Sequence, residues 1–278
     1  MSILSEHFTM ANGVQIPKLG FGTWQTPNAV APAAVKTALR VGYTHIDTAR
    51  AYRNEAGVGQ GVRDFGLPRE QVFITTKIPA EIKTYHQAAE SIESSLAALH
   101  LGPIDLLLIH APKPWPEMFR PGAKRYFDEN VEVWRAMTEA YERGDARAIG
   151  VSNFDVDDLE NITSHSDVVP LANQIEFRIG HTQDEIVTYC QGRDILIEAY
   201  SPIGTGELLD NEEIAAVAAG CGKTVAQVCI RYALQKGCLP LPKSIHDEFI
   251  EQNAQVDFEL TADEMATLDA IKDHLPAA

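Results

Sequence analysis

The run Asp105-Leu106-Leu107-Leu108-Ile109 is apolar at every position after its first, and His110 closes it. Ile195-Leu196-Ile197 repeats the pattern. A strand with one wet face alternates polar and apolar residues, whereas a parallel-sheet strand covered on both faces reads as a continuous apolar run. Outward from these runs, short β-like segments are predicted at Lys18–Gly22, His45–Asp47, Val72–Lys77, Ile104–Ile109, Ala146–Val151, Leu171–Glu176, Leu196–Tyr200 and Cys238–Pro240. Helical patterns fall between them, at Ala31–Arg40, Asn54–Phe65, His86–Leu99, Asn130–Arg143, Val156–Ser164, Gln183–Gln191 and Glu212–Gln235, the last broken by Gly220-Cys221-Gly222. Strict βα alternation requires parallel strands joined by helical crossovers. Eight such units in roughly 240 residues predict an α/β chain closed into a (β/α)8 TIM barrel rather than an open doubly wound sheet. Phe8–Met10 and Val14–Ile16 around Asn12-Gly13 predict an N-terminal β-hairpin, and a short C-terminal extension follows the last unit. No linker or compositional break interrupts residues 1–278, which read as a single barrel domain.

A chain of 278 residues buries about 75% of its unfolded surface and needs no disulfide or metal staple. It carries 23 Lys+Arg against 39 Asp+Glu, a net charge of −16. That surface repels phosphate backbones and anionic lipid, so neither nucleic acid nor membrane is expected as a partner. Cysteines at 190, 221, 229 and 238 form no C-x-x-C pair, which suits reduced thiols in a cytoplasmic protein. The start, MSILSEHFTMANG, lacks a basic and apolar leader pattern. Neither H-x-x-x-H nor C-x-x-C occurs, so no protein-built metal site is expected. The expected partner is a small molecule, and the expected state a monomer or weak oligomer.

In a barrel, reactive groups sit where strands end, at the C-terminal face. Asp47 follows the second strand, Lys77 ends the third, His110 ends the fourth, and Tyr52 lies in the loop after Asp47. Singly, each has an ordinary explanation: a helix cap for Asp47, a solvated strand end for Lys77, a satisfied core histidine for His110. Four groups of complementary chemistry on three neighbouring strands point instead to one mouth of the barrel. A lysine ammonium beside a tyrosine favours phenolate and makes the hydroxyl a better acid, while a carboxylate holds that ammonium charged. One long irregular stretch, Ala111–Asp128, carries four prolines, Trp115 and the basic residues Lys113, Arg120, Lys124 and Arg125. A loop of that length is usually functional.

His45-Ile46-Asp47-Thr48-Ala49 with Tyr52, Ile74-Thr75-Thr76-Lys77 and Leu107-Leu108-Ile109-His110 resemble the aldo-keto reductase signature. Gly150-Val151-Ser152-Asn153-Phe154, Asn173-Gln174-Ile175-Glu176, Ala199-Tyr200-Ser201-Pro202 and Pro242-Lys243-Ser244 look like the family's later blocks, in order. The likeness runs from Gly20-Phe21-Gly22-Thr23-Trp24 to Asn253. The short C-terminus makes the chain most similar to the bacterial 2,5-diketo-D-gluconate reductase branch. The resemblance implies an oxidoreductase that reduces small aldehydes or ketones, such as α-dicarbonyls or keto-sugars, with NADPH, NADH being a second candidate. Asp47, Tyr52, Lys77 and His110 would be catalytic, with Tyr52 the general acid. Tyr200 would stack on nicotinamide, and Ser152, Asn153 and Gln174 would bind its carboxamide. Gly22, Thr23 and Asp47 would line the cofactor, and Ser201, Pro202, Ile203 and Gly204 would follow the pyrophosphate. Lys243, Ser244, Ile245, His246, Phe249, Gln252 and Asn253 would hold the adenosine end. Trp24, Tyr52, His110, Ala111 and Trp115 would meet the substrate.

Two positions depart from the family pattern. An aromatic residue usually follows the catalytic histidine; here it is Ala111, which predicts a wider pocket unless Trp115 folds back into it. An arginine often stands six residues after the Lys243 position to pair the cofactor's 2′-phosphate; here it is Phe249, which predicts a weaker NADPH preference. Gly220-Cys221-Gly222-Lys223-Thr224 ends like a phosphate loop, but its required first glycine is Val217. Gly57-x-Gly59 fails as a dinucleotide fingerprint because position 62 is Val. Two rival functions remain on the same fold: a lyase using Lys77 as a Schiff-base nucleophile, and a non-catalytic cofactor-sensing subunit.

Overall fold

A computed structural model describes residues 2–272. The chain opens with a hairpin in which β1 (His7–Thr9) pairs antiparallel with β2 (Gln15–Pro17). Gly13 takes the left-handed conformation that its turn requires, at φ 85°. Eight parallel strands follow: β3 (Gly20–Gly22), β4 (His45–Asp47), β5 (Phe73–Ile78), β6 (Leu106–Ile109), β7 (Ile149–Ser152), β8 (Ala172–Glu176), β9 (Leu196–Tyr200) and β10 (Leu239–Leu241). Each pairs with its successor, and Gly22 N–H donates to Pro242 O at 2.9 Å, which joins the first strand to the last. The result is the expected (β/α)8 barrel.

The crossovers carry α1 (Ala31–Val41), α2 (Glu55–Phe65), α3 (Tyr85–Leu99), α4 (Trp115–Met118), α5 (Phe127–Arg143), α6 (Val156–Ser164), α7 (Asp184–Gln191), α8 (Glu212–Cys221) and α9 (Val225–Gln235). The break foreseen at Gly220-Cys221-Gly222 is real: Gly222, at φ 66°, caps α8, and a Thr224–Gln227 capping box starts α9. Beyond β10 lie two helices that the sequence reading lacked, α10 (Asp247–Ala254) and α11 (Ala262–Ala270). The final residues of the expected C-terminal extension, 273–278, fall outside the described ones. The stretch Ala111–Asp128 is also less irregular than expected. It contains α4, whose Pro116 stands in the first turn, where a fixed φ suits a helix start, and α5 begins at Phe127.

The all-apolar run of β6 is explained by its two faces. Leu106 and Leu108 pack inward with Phe73, Leu239 and Leu241 and with Met10 and Ile16 of the hairpin segment, which plugs the N-terminal end of the barrel. Leu107 and Ile109 pack outward in the larger core with Val133, Trp134 and Met137 of α5. The discounted Gly57-x-Gly59 pair serves packing: a Cβ at Gly59 would lie 2.0 Å from Leu99 O, and one at Gly57 2.3 Å from Asn28 O. No single described helix is long and apolar enough to cross a membrane.

Candidate active site

The C-terminal ends of the strands bring most of the expected residues to one rim. Asp47 ends β4 and Lys77 lies near the end of neighbouring β5, both buried. Lys77 Nζ donates to Asp47 Oδ1 and Oδ2 at 2.8 and 2.7 Å and to Thr48 O at 2.8 Å, and stands 3.5 Å from Tyr52 Oη. Tyr52, half-buried, closes a 3-10 turn, Arg50–Tyr52, which returns its ring over the strand ends. His110 directly follows β6. Its ring packs edge-on against Tyr52, centroids 5.5 Å apart, and against Trp115 at 5.2 Å. The four residues predicted to converge do so.

Electrostatics assigns each group a protonation state. Burial works against the Lys77 ammonium, but Asp47, Tyr52 and Glu198 overcome it and raise its pKa above the ordinary value. Burial also raises Tyr52, while Lys77 pulls it back and Asp47 pushes it up. The sequence reading counted only the Lys77 pull; burial outweighs it, so Tyr52 keeps its proton at neutral pH. His110 falls well below the usual histidine range through burial and then Lys77, so its ring is neutral.

The next strand ends form a linked polar shelf. Ser152 Oγ donates to Gln174 O at 2.8 Å, and Asn153 Nδ2 donates to His110 O at 3.1 Å and Ser152 Oγ at 3.0 Å. Tyr200, at the end of β9, donates to Asn153 Oδ1 at 2.8 Å and leaves its ring half-buried. Asn153 and Ser201 both take left-handed backbone, at φ 61° and 50°. Gly22 and Thr23 lie on the closing seam: Thr23 Oγ1 donates to Asp47 O at 2.9 Å, and a Cβ at Gly22 would stand 3.5 Å from Lys243 Cβ. Pro202 and Gly204 are buried and Ile203 half-buried beyond β9. Trp24, 45% exposed, stands just past the end of β3.

The remaining adenosine-end residues, Ser244, Ile245, His246, Phe249, Gln252 and Asn253, lie on and just before α10. Ser244 and Asn253 are buried and Gln252 half-buried, while Ile245, His246 and Phe249 are exposed. The Phe249 ring meets the His246 ring edge-on, centroids 5.7 Å apart. Asp247 beside them is engaged by Thr37 and Arg40.

Ala111 directly follows His110. It has no exposed surface; Lys83 Nζ donates to its carbonyl at 3.1 Å, and Asn130 binds both Lys83 and Pro112 O. Trp115 packs edge-on against the His110 ring at 5.2 Å, on the side foreseen as the alternative to a wider pocket. The basic residues of that segment are largely engaged internally: Arg125 with Asp155 and Asp158, Arg120 with Glu117, Lys124 with Glu129. Sequence reasoning missed Lys83, Asn130 and Glu198. A lone acid within the apolar run of β9 was the available signal for Glu198.

The family model described as the aldo/keto reductase family matches residues 18–273. A glyoxal reductase from Bacillus subtilis is 41% identical over 270 residues, covering 96% of this chain and 93% of that protein. A 9,11-endoperoxide prostaglandin H2 reductase from Trypanosoma cruzi is 38% identical, covering 95% of this chain and 91% of its own. Among solved structures, an aldo/keto reductase from Brucella melitensis superposes with a TM-score of 0.88 at 36% identity, covering 95% and 97% of the two chains. A Bombyx mori aldo-keto reductase in complex with NADP gives 0.85 at 33% identity, covering 95% and 92%.

Lys77→Met strips the buried Asp47 carboxyl of its cation and is expected to cost about 3–5 kcal/mol of stability. The double variant Asp47→Leu/Lys77→Met should recover most of that loss in urea unfolding. A double variant as unstable as the single one would show that the pair is not the source of the cost.

Proposed function

This chain belongs to the aldo/keto reductase family, and from that premise we propose that it reduces small aldehydes and ketones, α-dicarbonyls or keto-sugars among them, with NADPH as reductant. The observation that carries the reading is the Tyr52 hydroxyl set 3.5 Å from the buried Lys77 ammonium, with a neutral His110 against the same ring. Relatives named as a glyoxal reductase and as an NADP complex support it. The four free thiols suit a cytoplasmic location, which we also propose.

The residues present fit a nicotinamide dinucleotide. Ser152, Asn153 and Gln174 offer an amide-and-hydroxyl shelf matched to a carboxamide, Tyr200 a half-exposed ring, and Lys243 a half-buried cation for phosphate. Ser201–Gly204 would follow the pyrophosphate, and Ser244, Ile245, His246, Phe249, Gln252 and Asn253 the adenosine end. Bound nicotinamide supplies the hydride. Tyr52 Oη gives its proton to the carbonyl oxygen as negative charge develops there, and Lys77 steadies the phenolate left behind. Asp47 keeps Lys77 charged and aimed. His110, uncharged, donates a hydrogen bond to the carbonyl oxygen and fixes its approach, while Trp24 and Trp115 wall the substrate.

A Schiff-base role for Lys77 conflicts with this geometry, because that nucleophile must be a neutral amine and Asp47 holds it as an ammonium. A purely sensing role leaves the proton donor and its ion pair without use.

Tyr52→Phe removes only the proton donor, so kcat should fall at least about 100-fold with cofactor affinity nearly unchanged. NADPH-oxidation kinetics and fluorescence titration of cofactor binding check this, and near-normal turnover would remove Tyr52 from the mechanism. At the adenosine end, Phe249 cannot pair a phosphate, so measurable NADH activity is expected. Phe249→Arg should lower the KM for NADPH by about 10-fold or more, the effect of one charge-assisted hydrogen bond, and change that for NADH little. A wild type that ignores NADH would show that another residue binds the 2′-phosphate.

A further inference from the structure

Behind the Asp47–Lys77 pair the barrel holds a second acid that the proton transfer leaves unused. Glu198 lies within β9, in register with Gln174 of β8 and Leu239 of β10, and has no exposed surface. Its Oε2 accepts from Gln174 Nε2 at 3.0 Å, and the same nitrogen donates to Asp47 Oδ2 at 3.0 Å. One amide therefore bridges two carboxyl groups. Glu198 Oε1 has no hydrogen-bond partner and faces His45 Nε2 at 3.7 Å, a nitrogen already 2.9 Å from Thr75 Oγ1. The charged or titratable groups around Glu198 are thus Asp47 and His45 from β4 and Lys77 from β5, while β8 and β10 contribute uncharged Gln174 and Leu239. Among the described residues, Lys77 is the cation that acts on Glu198, and both Asp47 oxygens hold it. A second ionised carboxyl beside that pair would be buried without compensation.

We propose that Glu198 is a positioning residue for proton transfer, a neutral carboxyl that leaves a single balanced ion pair under Tyr52, and that its ionisation weakens Tyr52 as an acid. The proposal rests on the carbonyl-reductase reading above. Burial, then the Asp47 charge, pushes the Glu198 carboxyl up to about 8, and burial, then Lys77, pushes His45 down to about 3. At pH 7 the carboxyl holds its proton and the ring is neutral. As pH rises through about 8, Glu198 becomes an anion that tightens the hold of Lys77 and Tyr52 on their protons, as Asp47 already does for both. Proton delivery to the carbonyl then slows.

The test compares normalised pH profiles of kcat for NADPH-dependent carbonyl reduction in the wild type and Glu198→Gln, which keeps the shape and the acceptor for Gln174 but cannot ionise. The wild type should show an alkaline limb near pH 8. Relative to its own rate at pH 7, Glu198→Gln should retain roughly tenfold more activity at pH 9.5, the effect of moving that limb by a pH unit or more. Superimposable profiles would overturn the proposal. A second readout needs neither turnover nor a variant: infrared spectra of the cofactor-free wild type with 13C-labelled glutamate. A protonated-carboxyl band at pH 7 that disappears as pH passes about 8 supports the proposal, and an ionised Glu198 at pH 7 overturns it. A chain that shows the band but reduces no carbonyl would fail the functional reading instead.

Discussion

One buried ion pair organises this molecule's chemistry. Lys77 Nζ has both oxygens of Asp47 and the carbonyl of Thr48 within 2.8 Å, inside a barrel where neither charge reaches water freely. Such a pair contributes little net stability, yet breaking it by removing one partner is costly, because the other charge is stranded. What the pair provides is a fixed cation at a fixed place. Tyr52 is positioned against that cation, His110 is kept neutral by burial and then by Lys77, and Gln174 is tied to the Asp47 carboxylate.

The barrel supplies the positioning. Parallel register sets Asp47 of β4 beside Thr75 of β5, two residues before Lys77, so two strand ends deliver opposite charges to one point. Closure through Gly22 and Pro242 places the last strand, and hence Lys243, beside the first. The hairpin seals the opposite end with Met10 and Ile16, which leaves the C-terminal rim as the open mouth. The division between a plugged, apolar bottom and a polar rim follows from strand direction, and it is the division by which barrels separate stability from function.

Much of this was legible in the chain. The unbroken Leu106–Ile109 run implied burial on both faces, and the strands carry exactly that two-sided packing; polar residues closing such runs marked Asp47, Lys77 and His110. Contacts between distant segments were not legible. Lys83 and Asn130, 47 residues apart, join beside the Ala111 carbonyl, a contact that no local pattern announces. Glu198 reads as one acid in an apolar strand, and only the folded register reveals that Gln174 and Asp47 face it. Local signals also went unused: Thr261 and Glu264 form a capping box that announces α11. The pull of Lys77 on Tyr52 was read correctly in direction, but the opposing burial depends on packing that no local pattern displays.

The central claim is that Tyr52 waits as a protonated acid against a charged lysine. Carbon-13 NMR of the cofactor-free protein, labelled at tyrosine Cζ and titrated from pH 6 to 11, observes that proton directly, with Tyr52→Phe assigning the signal. Burial that outweighs the Lys77 attraction predicts a Tyr52 resonance that remains phenolic beyond pH of about 10, the ordinary tyrosine value. A phenolate signal below pH 8 would contradict the account.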